Sequence, residues 1–438
     1  MNISPIEIGC LMIALVVLLM FLRMPIGVTM LLAGLLGLVF IRGLQPALSG
    51  LGIIVWRQGL NEILIVIPLF TWMGMLASSG GISKDAFSSL HRWVGHLPGG
   101  LAMACTGACA AFGAVCGNHI ATAVTMGSVA LPEMRKYKYL DSFSLGCIAS
   151  SGNLGIMIPP SGAFILYGFL TETSIAALFI AGILPGLLIT AMFCVQIFLQ
   201  CKFNPTLGPA GPKFGWKEKV KSIKGLWAIT AVFLLVMGGI YFGIFTPTEG
   251  ASCGVFVVFI IGMANRQLNW QKFVHSLRQT MLVSAMIMLM IIGAMFFGSF
   301  TTTTQIPNAL SQTVAELAIN RYIVMGIILF IYLLAGFVLD IYAILVITLP
   351  IFFPIVKSLG FDALHFGVMA VLTVMLGSIS PPFGIVVFAI GGMNKSVPIY
   401  AIFRGVIPFF ITMLIGLLII LFVPEIVTML PDYMFPYR

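Results

Sequence analysis

Leu154-Gly155-Ile156-Met157-Ile158-Pro159-Pro160-Ser161-Gly162 has a counterpart 222 positions later, Leu376-Gly377-Ser378-Ile379-Ser380-Pro381-Pro382-Phe383-Gly384. Each copy interrupts an apolar segment with two consecutive prolines. Prolines remove backbone donors and bar the preceding residue from helical geometry, while the glycines permit turns closed to other residues. A helix must break at each site. Backbone left unpaired in hydrocarbon is tolerated only where it is packed in protein or lines a polar cavity, so the doubled break points to a midplane binding site between two halves.

Composition fixes the solvent. With 60% hydrophobic and 8% charged residues, the chain is far from the soluble globular average of about 25% charged, and it reads as an all-α polytopic membrane protein. The net charge of +9 is spread over loops between apolar runs and forms no aromatic-interleaved basic face, which argues against nucleic acid and for topology signals. The eight cysteines show no CxxC pair and no metal-ligand spacing with histidine, so neither a disulfide framework nor a zinc site is implied.

In chain order, apolar segments at 6–22, 25–41 and 58–77 are expected spans, and 82–97 mixes apolar and charged positions as an interfacial arm does. The small, Gly-rich run 101–134 has a polar knot, Cys116-Gly117-Asn118-His119, at its centre; its two short arms suit a re-entrant hairpin with its tip at Gly117-Asn118. A broken helix at 141–169 and a span at 175–199 follow, and the polar stretch 201–226 is the natural connection between halves. The second half repeats the plan. Pro25, Asn118, Pro132, Gly155, Pro159, Pro160 and Gly162 correspond to Pro247, Asp340, Pro354, Gly377, Pro381, Pro382 and Gly384 at one constant offset. The expected organisation is a first repeat at 1–200, a cytoplasmic connection at 201–226 and a second repeat at 227–438. Each repeat carries scaffold helices, an arm, a hairpin and a broken helix. A repeat that crosses an odd number of times must be inverted relative to its partner.

Charge gives the orientation. With the N-terminus outside, seventeen Lys and Arg side chains fall on the cytoplasmic side, among them Arg23, Lys84, Arg135, Lys217, Lys221 and Lys395, against five outside, namely Arg42, Arg57, Arg321, Lys357 and Arg438. Both termini are then extracytoplasmic.

Phe112-Gly113 through Cys116-Gly117-Asn118 to Ala121-Thr122, Gly155-Ile-Met-Ile-Pro159-Pro160-Ser161, Ala181-Gly-Ile-Leu-Pro185-Gly186, Thr246-Pro247-Thr248-Glu249 and His365-Phe366-Gly367 resemble the large membrane subunit of tripartite ATP-independent periplasmic (TRAP) transporters. The resemblance spans nearly the whole chain. It implies an elevator-type, sodium-coupled importer in a bacterial inner membrane, taking a small organic anion, a carboxylate or a sialic-acid-like solute, from a periplasmic binding protein together with a small four-helix membrane subunit. The chain begins almost at its first span, so that small subunit is expected to be a separate polypeptide. At the hairpin tip Cys116-Gly117-Asn118 stands where the family usually has Ser-Gly-Ser, and Thr373 stands where an Asn is expected.

The chemistry follows from the breaks themselves. Freed carbonyls and hydroxyls near Gly117, Asn118, Gly155, Ile158, Asp340, Gly377 and Ser380 suit a hard cation, Na+ as coupling ion. Half-helix N-termini after Pro160 and Pro382 suit a carboxylate, and Asn118, Ser161, Asp340 and Thr373 are the candidate substrate-binding side chains. Asp340, an acid deep in an apolar run, is costly unless paired or ion-bound. Against this, hydroxyls in membrane helices commonly bond their own backbone, and His119 reads as a satisfied polar residue. Thr246-Pro247-Thr248-Glu249 reads first as a capping box. Coupling follows if sodium completes the hairpin tips and so forms the anion site. A proton relay lacks its chain of intramembrane acids and histidines, a channel its charge rings, and an enzyme its paired catalytic groups. A stand-alone sodium/anion symporter of the same inverted-repeat plan is the alternative. The acids Glu7, Glu172, Glu249, Glu316, Asp362, Glu425 and Asp432 fall on the outside face, where a binding protein would dock.

Overall fold

In the computed structural model, which describes residues 4–22, 24–307, 309, 312, 320–394 and 396–434, the chain is helical throughout, without strands among the described residues. Arg23, Glu316, Lys395 and Arg438 lie outside that set. Six described helices are long and apolar enough to cross a membrane, and eight spans result if each of two bent pairs counts as one.

Local chemistry sets the helix starts. Ser4 and Glu7 form a reciprocal cap on Pro5–Phe21. Thr246 and Glu249 do the same on Pro247–Ala264, where Thr246 N donates to Glu249 Oε2 at 2.8 Å, so the capping-box reading of that motif holds. Asn269 caps Trp270–Thr304 and Asp362 caps Ala363–Ile379. Large apolar side chains remain exposed on Pro5–Phe21 and Ile26–Arg42, including Leu11, Leu18, Phe21 and Phe40, which is stable only against lipid or another protein.

Two groups of helices are visible in the packing. Ile26–Arg42, Val66–Ser79, Pro247–Ala264 and Trp270–Thr304 form one, with a close backbone approach at Gly27 and Gly293: a β-carbon on Gly293 would lie 2.3 Å from Gly27 O. Contacts this close require glycine on both helices. The other group holds Gly100–Cys116, His119–Lys136, Asp141–Gly152, Ile175–Phe203, Ala363–Ile379 and Ile399–Phe422. Gly146 and Gly405 make the same kind of close pair there, with the Gly405 carbonyl carbon 2.4 Å from a β-carbon placed on Gly146.

Several expectations need correction. The segment after Arg42 is a further helix, Leu44–Gly59, rather than loop; Pro46 and its glycines masked it, and most of its residues are exposed. The third span begins as a tight turn at Glu62–Ile65 and continues as Val66–Ser79. Its second-half counterpart is one uninterrupted helix, Trp270–Thr304, so the halves are not copies in detail. The arm is a helix at Ile82–Val94. The matching second arm, at the constant offset, falls at 304–319, mostly outside the described residues. The connection itself is packed against the first half. Ile175–Phe203 runs into it, Leu140 N donates to Leu207 O at 3.1 Å, Gly99 N to Gly208 O at 2.9 Å, and Trp216–Ser222 forms a helix against the arm.

Candidate functional site at the hairpin tips

The first hairpin turns where its sequence predicts. Gly117 ends Gly100–Cys116 with φ +63°, a conformation that glycine adopts without strain. Asn118 then caps His119–Lys136, its Oδ1 accepting from Ala121 N at 2.9 Å. The second hairpin, Arg321–Gly336 and Ile341–Ser358, is capped at the repeat-equivalent position: Asp340 Oδ2 accepts from Tyr342 N at 3.4 Å. Asp340 is thus both the capped turn and a carboxylate at a hairpin tip, since one oxygen serves each role.

Both hairpins pack on a broken helix through paired glycines. A β-carbon on Gly113 would stand 2.5 Å from Gly155 Cα, and one on Gly377 would stand 2.5 Å from Gly336 Cα. The first broken helix runs Asp141–Gly152, Leu154–Met157 and, after the prolines, Gly162–Thr171, with a 42° bend. The second runs Ala363–Ile379 and then Ile385–Met393. Pro159–Pro160 and Pro381–Pro382 are both cis. The two breaks differ in cover: Pro159 and Pro160 are buried, whereas Pro381, Pro382 and Phe383 are exposed. Gly117 explains the first, since Gly162 N donates to Gly117 O at 3.4 Å and a β-carbon on Gly117 would lie 2.7 Å from Pro160 O. The first tip sits on the first break.

The tips also meet each other. His119 Nε2 lies 3.8 Å from Asp340 Oδ1, and Tyr342 places its hydroxyl against Gly162. His119 is 3% exposed, and its Nδ1 finds no hydrogen-bond partner. The expectation of a fully satisfied histidine is therefore corrected, because the second hairpin, remote in sequence, supplies only Asp340 to one ring nitrogen.

A narrow cleft, with room for little more than a water molecule, lies beside the first tip. Its walls are the first group's Ile67, Phe70, Thr71 and Ile287 on one side, and Gly117, Asn118, Gly162 and Tyr342 on the other. The N-terminus of the half-helix Gly162–Thr171 therefore faces it, the arrangement that places backbone amides and a positive dipole near an anion.

A cluster of oxygens lies behind the first tip. Gly155 lies within 3.2 Å, measured from an added β-carbon, of both Asn118 O and Thr122 Oγ1. Thr122 Oγ1 is buried and without a hydrogen-bond partner, which leaves its acceptor capacity open in a dry setting. Sequence reasoning did not single out Thr122 as a candidate; its place one turn after Asn118 on a capped helix was the available signal.

Other candidates are placed less favourably. Ser161 caps Gly162–Thr171, accepting from Phe164 N at 3.4 Å and donating to Ile156 O. Ser380 donates to Leu376 O at 2.6 Å and Thr373 to Met369 O at 2.7 Å. Thr373 is buried and lines neither the cleft nor the smaller cavity beside His119. Its hydroxyl is spent on its own helix, as hydroxyls in membrane helices commonly are. Ile158, Gly377 and Asp340 remain near the breaks and tips, but Gly377 and Ser380 belong to the exposed second break rather than to the Asn118 and Thr122 cluster.

Comparison with known proteins agrees with this architecture. A family model described as "Tripartite ATP-independent periplasmic transporter, DctM component" matches residues 13–426. The chain is 32% identical over 404 residues to the C4-dicarboxylate TRAP transporter large permease protein DctM of Pseudomonas aeruginosa, covering 92% of this chain and 94% of that one. It is 29% identical to the sialic acid TRAP transporter large permease protein SiaM of Vibrio cholerae, over 96% and 97% of the two chains. With the ectoine/5-hydroxyectoine large permease UehC of Ruegeria pomeroyi the identity is 31%, over 85% and 86%. Among solved structures, the YdaH transporter of Alcanivorax borkumensis superposes with a TM-score of 0.63 at 15% identity, covering 86% of this chain and 88% of that one; at that identity the likeness is one of fold.

Proposed function

The chain belongs to the DctM family of tripartite ATP-independent periplasmic transporters, and from that premise we propose that it is the large membrane subunit of a sodium-coupled importer of a small organic anion in the bacterial inner membrane. The observation that carries this reading is the meeting of both hairpin tips at the first break: Asn118 and Asp340, equivalent caps, converge with His119 and Gly162 beside a narrow cleft.

In this reading Na+ is cargo. Asn118 O, Thr122 Oγ1 and the backbone around Gly117, Gly155 and Ile158 surround one ion, and Asp340 offers a carboxylate oxygen to a second. The anion rests against the N-terminus of Gly162–Thr171, with the Asn118 amide and the Tyr342 hydroxyl as further donors. A bound ion orders the tips and lowers the ordering cost for the anion, which couples the two. The C4-dicarboxylates, sialic acid and ectoine named for the three relatives above each bear a carboxylate, the group this reading sets against the half-helix N-terminus.

Transport then proceeds as an elevator. The repeats at 1–200 and 227–438, inverted about the connection at 201–226, each contribute to a fixed scaffold near 6–77 and 227–299, and the hairpins and broken helices move as one body. A separate small four-helix subunit widens the scaffold. A periplasmic binding protein delivers the anion to the outside face, on which both termini and Glu7, Glu172, Glu249, Asp362, Glu425 and Asp432 lie. Reconstituting the purified chain with labelled succinate, N-acetylneuraminate or ectoine, and adding the two partners one at a time, tests the proposal. Uptake only with both partners supports it, and robust uptake by the chain alone favours a stand-alone symporter.

A further inference from the structure

The segment between the two halves carries a largely exposed apolar face, whose one ring contact with the arm is the edge of Trp216 against Trp93 at 5.8 Å between centroids. In Trp216–Ser222 and the turn after it, Ser222 and Gly225 point toward the arm. Ser89 Oγ donates to Ser222 O at 2.7 Å, Trp93 Nε1 donates to Lys219 O at 3.1 Å, and a β-carbon on Gly225 would meet Ser89 Oγ. Small and polar residues thus face the protein. Trp216, Val220, Ile223 and Trp227, spaced as one helical stripe, are turned outward at 70%, 47%, 49% and 53% exposure. Lys217, Lys221 and Lys224 form a parallel exposed stripe beside them.

A helix that docks on protein through its small polar face and exposes tryptophan beside lysine is built for a bilayer surface rather than for water. Two further observations agree. The segment Trp216–Gly225 bends by 48° into the apolar helix Trp227–Tyr241, as expected where a surface helix turns into a span. Its one acid, Glu218, accepts from Gly215 N at 3.3 Å and is outnumbered by Lys217, Lys219, Lys221 and Lys224, so the segment is net cationic.

We propose that Trp216–Trp227 is an anionic-lipid binding site on the cytoplasmic leaflet: Lys217, Lys221 and Lys224 hold phosphate headgroups, Trp216, Val220 and Ile223 enter the acyl boundary, and the hydrogen bonds to Ser89 and Trp93 thereby fix the arm to the membrane surface. The partner is defined by its chemistry, a phosphodiester surface bearing net negative charge.

The test uses the full chain in bilayers containing equal phosphatidylglycerol and phosphatidylcholine. Native mass spectrometry of the extracted protein is expected to show retained phosphatidylglycerol in the wild type, and K217Q/K221Q/K224Q should lower its ratio to phosphatidylcholine by about five-fold or more. All three lysines point away from the protein, so folding is retained. Independently, brominated phosphatidylglycerol should quench a component of the tryptophan emission that is missing in Trp216→Phe. Unchanged lipid retention in the triple variant, or an identical quenching profile in Trp216→Phe, overturns the proposal. So does shielding of Trp216 that appears only when a second membrane protein is added, because the face is then a protein interface.

Discussion

Asn153 Nδ2 donates to the carbonyl of Met375 at 2.9 Å, and the two residues are separated by 222 positions, the same interval that separates the proline pairs. A contact between equivalent positions lies where an axis exchanging the halves would pass. Ser378 Oγ donates to Asn153 Oδ1 at 3.2 Å, so one buried amide joins the two broken helices directly. Asn153→Ala removes this link between the broken helices, while Ser378 Oγ still donates to Met375 O at 2.8 Å. The expected loss is therefore about 0.5–1.5 kcal/mol of stability, read as a lower melting temperature of the detergent-solubilised protein; an unchanged melting temperature contradicts the joint.

The glycine pairs admit a sharper comparison. A methyl on Gly377 would stand 2.5 Å from Gly336 Cα, whereas Gly326, on the same hairpin arm as Gly336, has nothing within 4 Å. Gly377→Ala should cost about 1–3 kcal/mol through overpacking, while Gly326→Ala should be neutral or stabilising because alanine favours helix. Equal melting temperatures for the two variants would refute the packing of the second hairpin on the second break.

Asp340 combines a cap with a charge, and substitution separates them. Asparagine keeps the capping oxygen and removes the charge, while alanine removes both, at about 0.5–2 kcal/mol for the cap alone. Asp340→Asn is therefore expected to fold like the wild type and to lose sodium-driven uptake; Asp340→Ala should lose both stability and uptake. Wild-type uptake by Asp340→Asn would confine Asp340 to capping.

The two threonines divide the site. Thr122→Val removes an unpartnered buried oxygen beside Asn118 and Gly155, and the sodium concentration for half-maximal uptake should rise roughly ten-fold, the value of one interaction with a charged group. Thr373→Val removes a hydroxyl already given to Met369 O, and that concentration should stay unchanged. The reverse pattern would move the ion site to the second break.

Much of the architecture was legible because it was written in backbone punctuation. The proline pairs, Gly117 and the caps Asn118 and Asp340 act through local geometry, and they stand where the constant offset placed them. Thr373 was less legible for the opposite reason, and its bond to Met369 O is the backbone alternative weighed from the sequence. A hydroxyl can bond a carbonyl one turn back or face a cavity, and only the fold decides between them. His119 and Tyr342 were invisible as site residues because their partners, Asp340 and Gly162, come from elements about 200 residues away in sequence. Leu44–Gly59 was lost among its own glycines, and Trp216–Ser222 within a stretch rich in lysine and proline, although the stripes of the latter are at helical spacing.

Sodium coupling at the joined tips is the central claim, and one flux measurement addresses it. Proteoliposomes holding the chain and its small membrane subunit, with binding protein outside, are given labelled succinate, N-acetylneuraminate and ectoine under an inward sodium gradient with no pH gradient, and then under an inward proton gradient with sodium absent. Accumulation of at least one solute is predicted under the sodium gradient alone, abolished by Asp340→Asn. Accumulation driven by protons without sodium, undiminished in Asp340→Asn, would contradict the account.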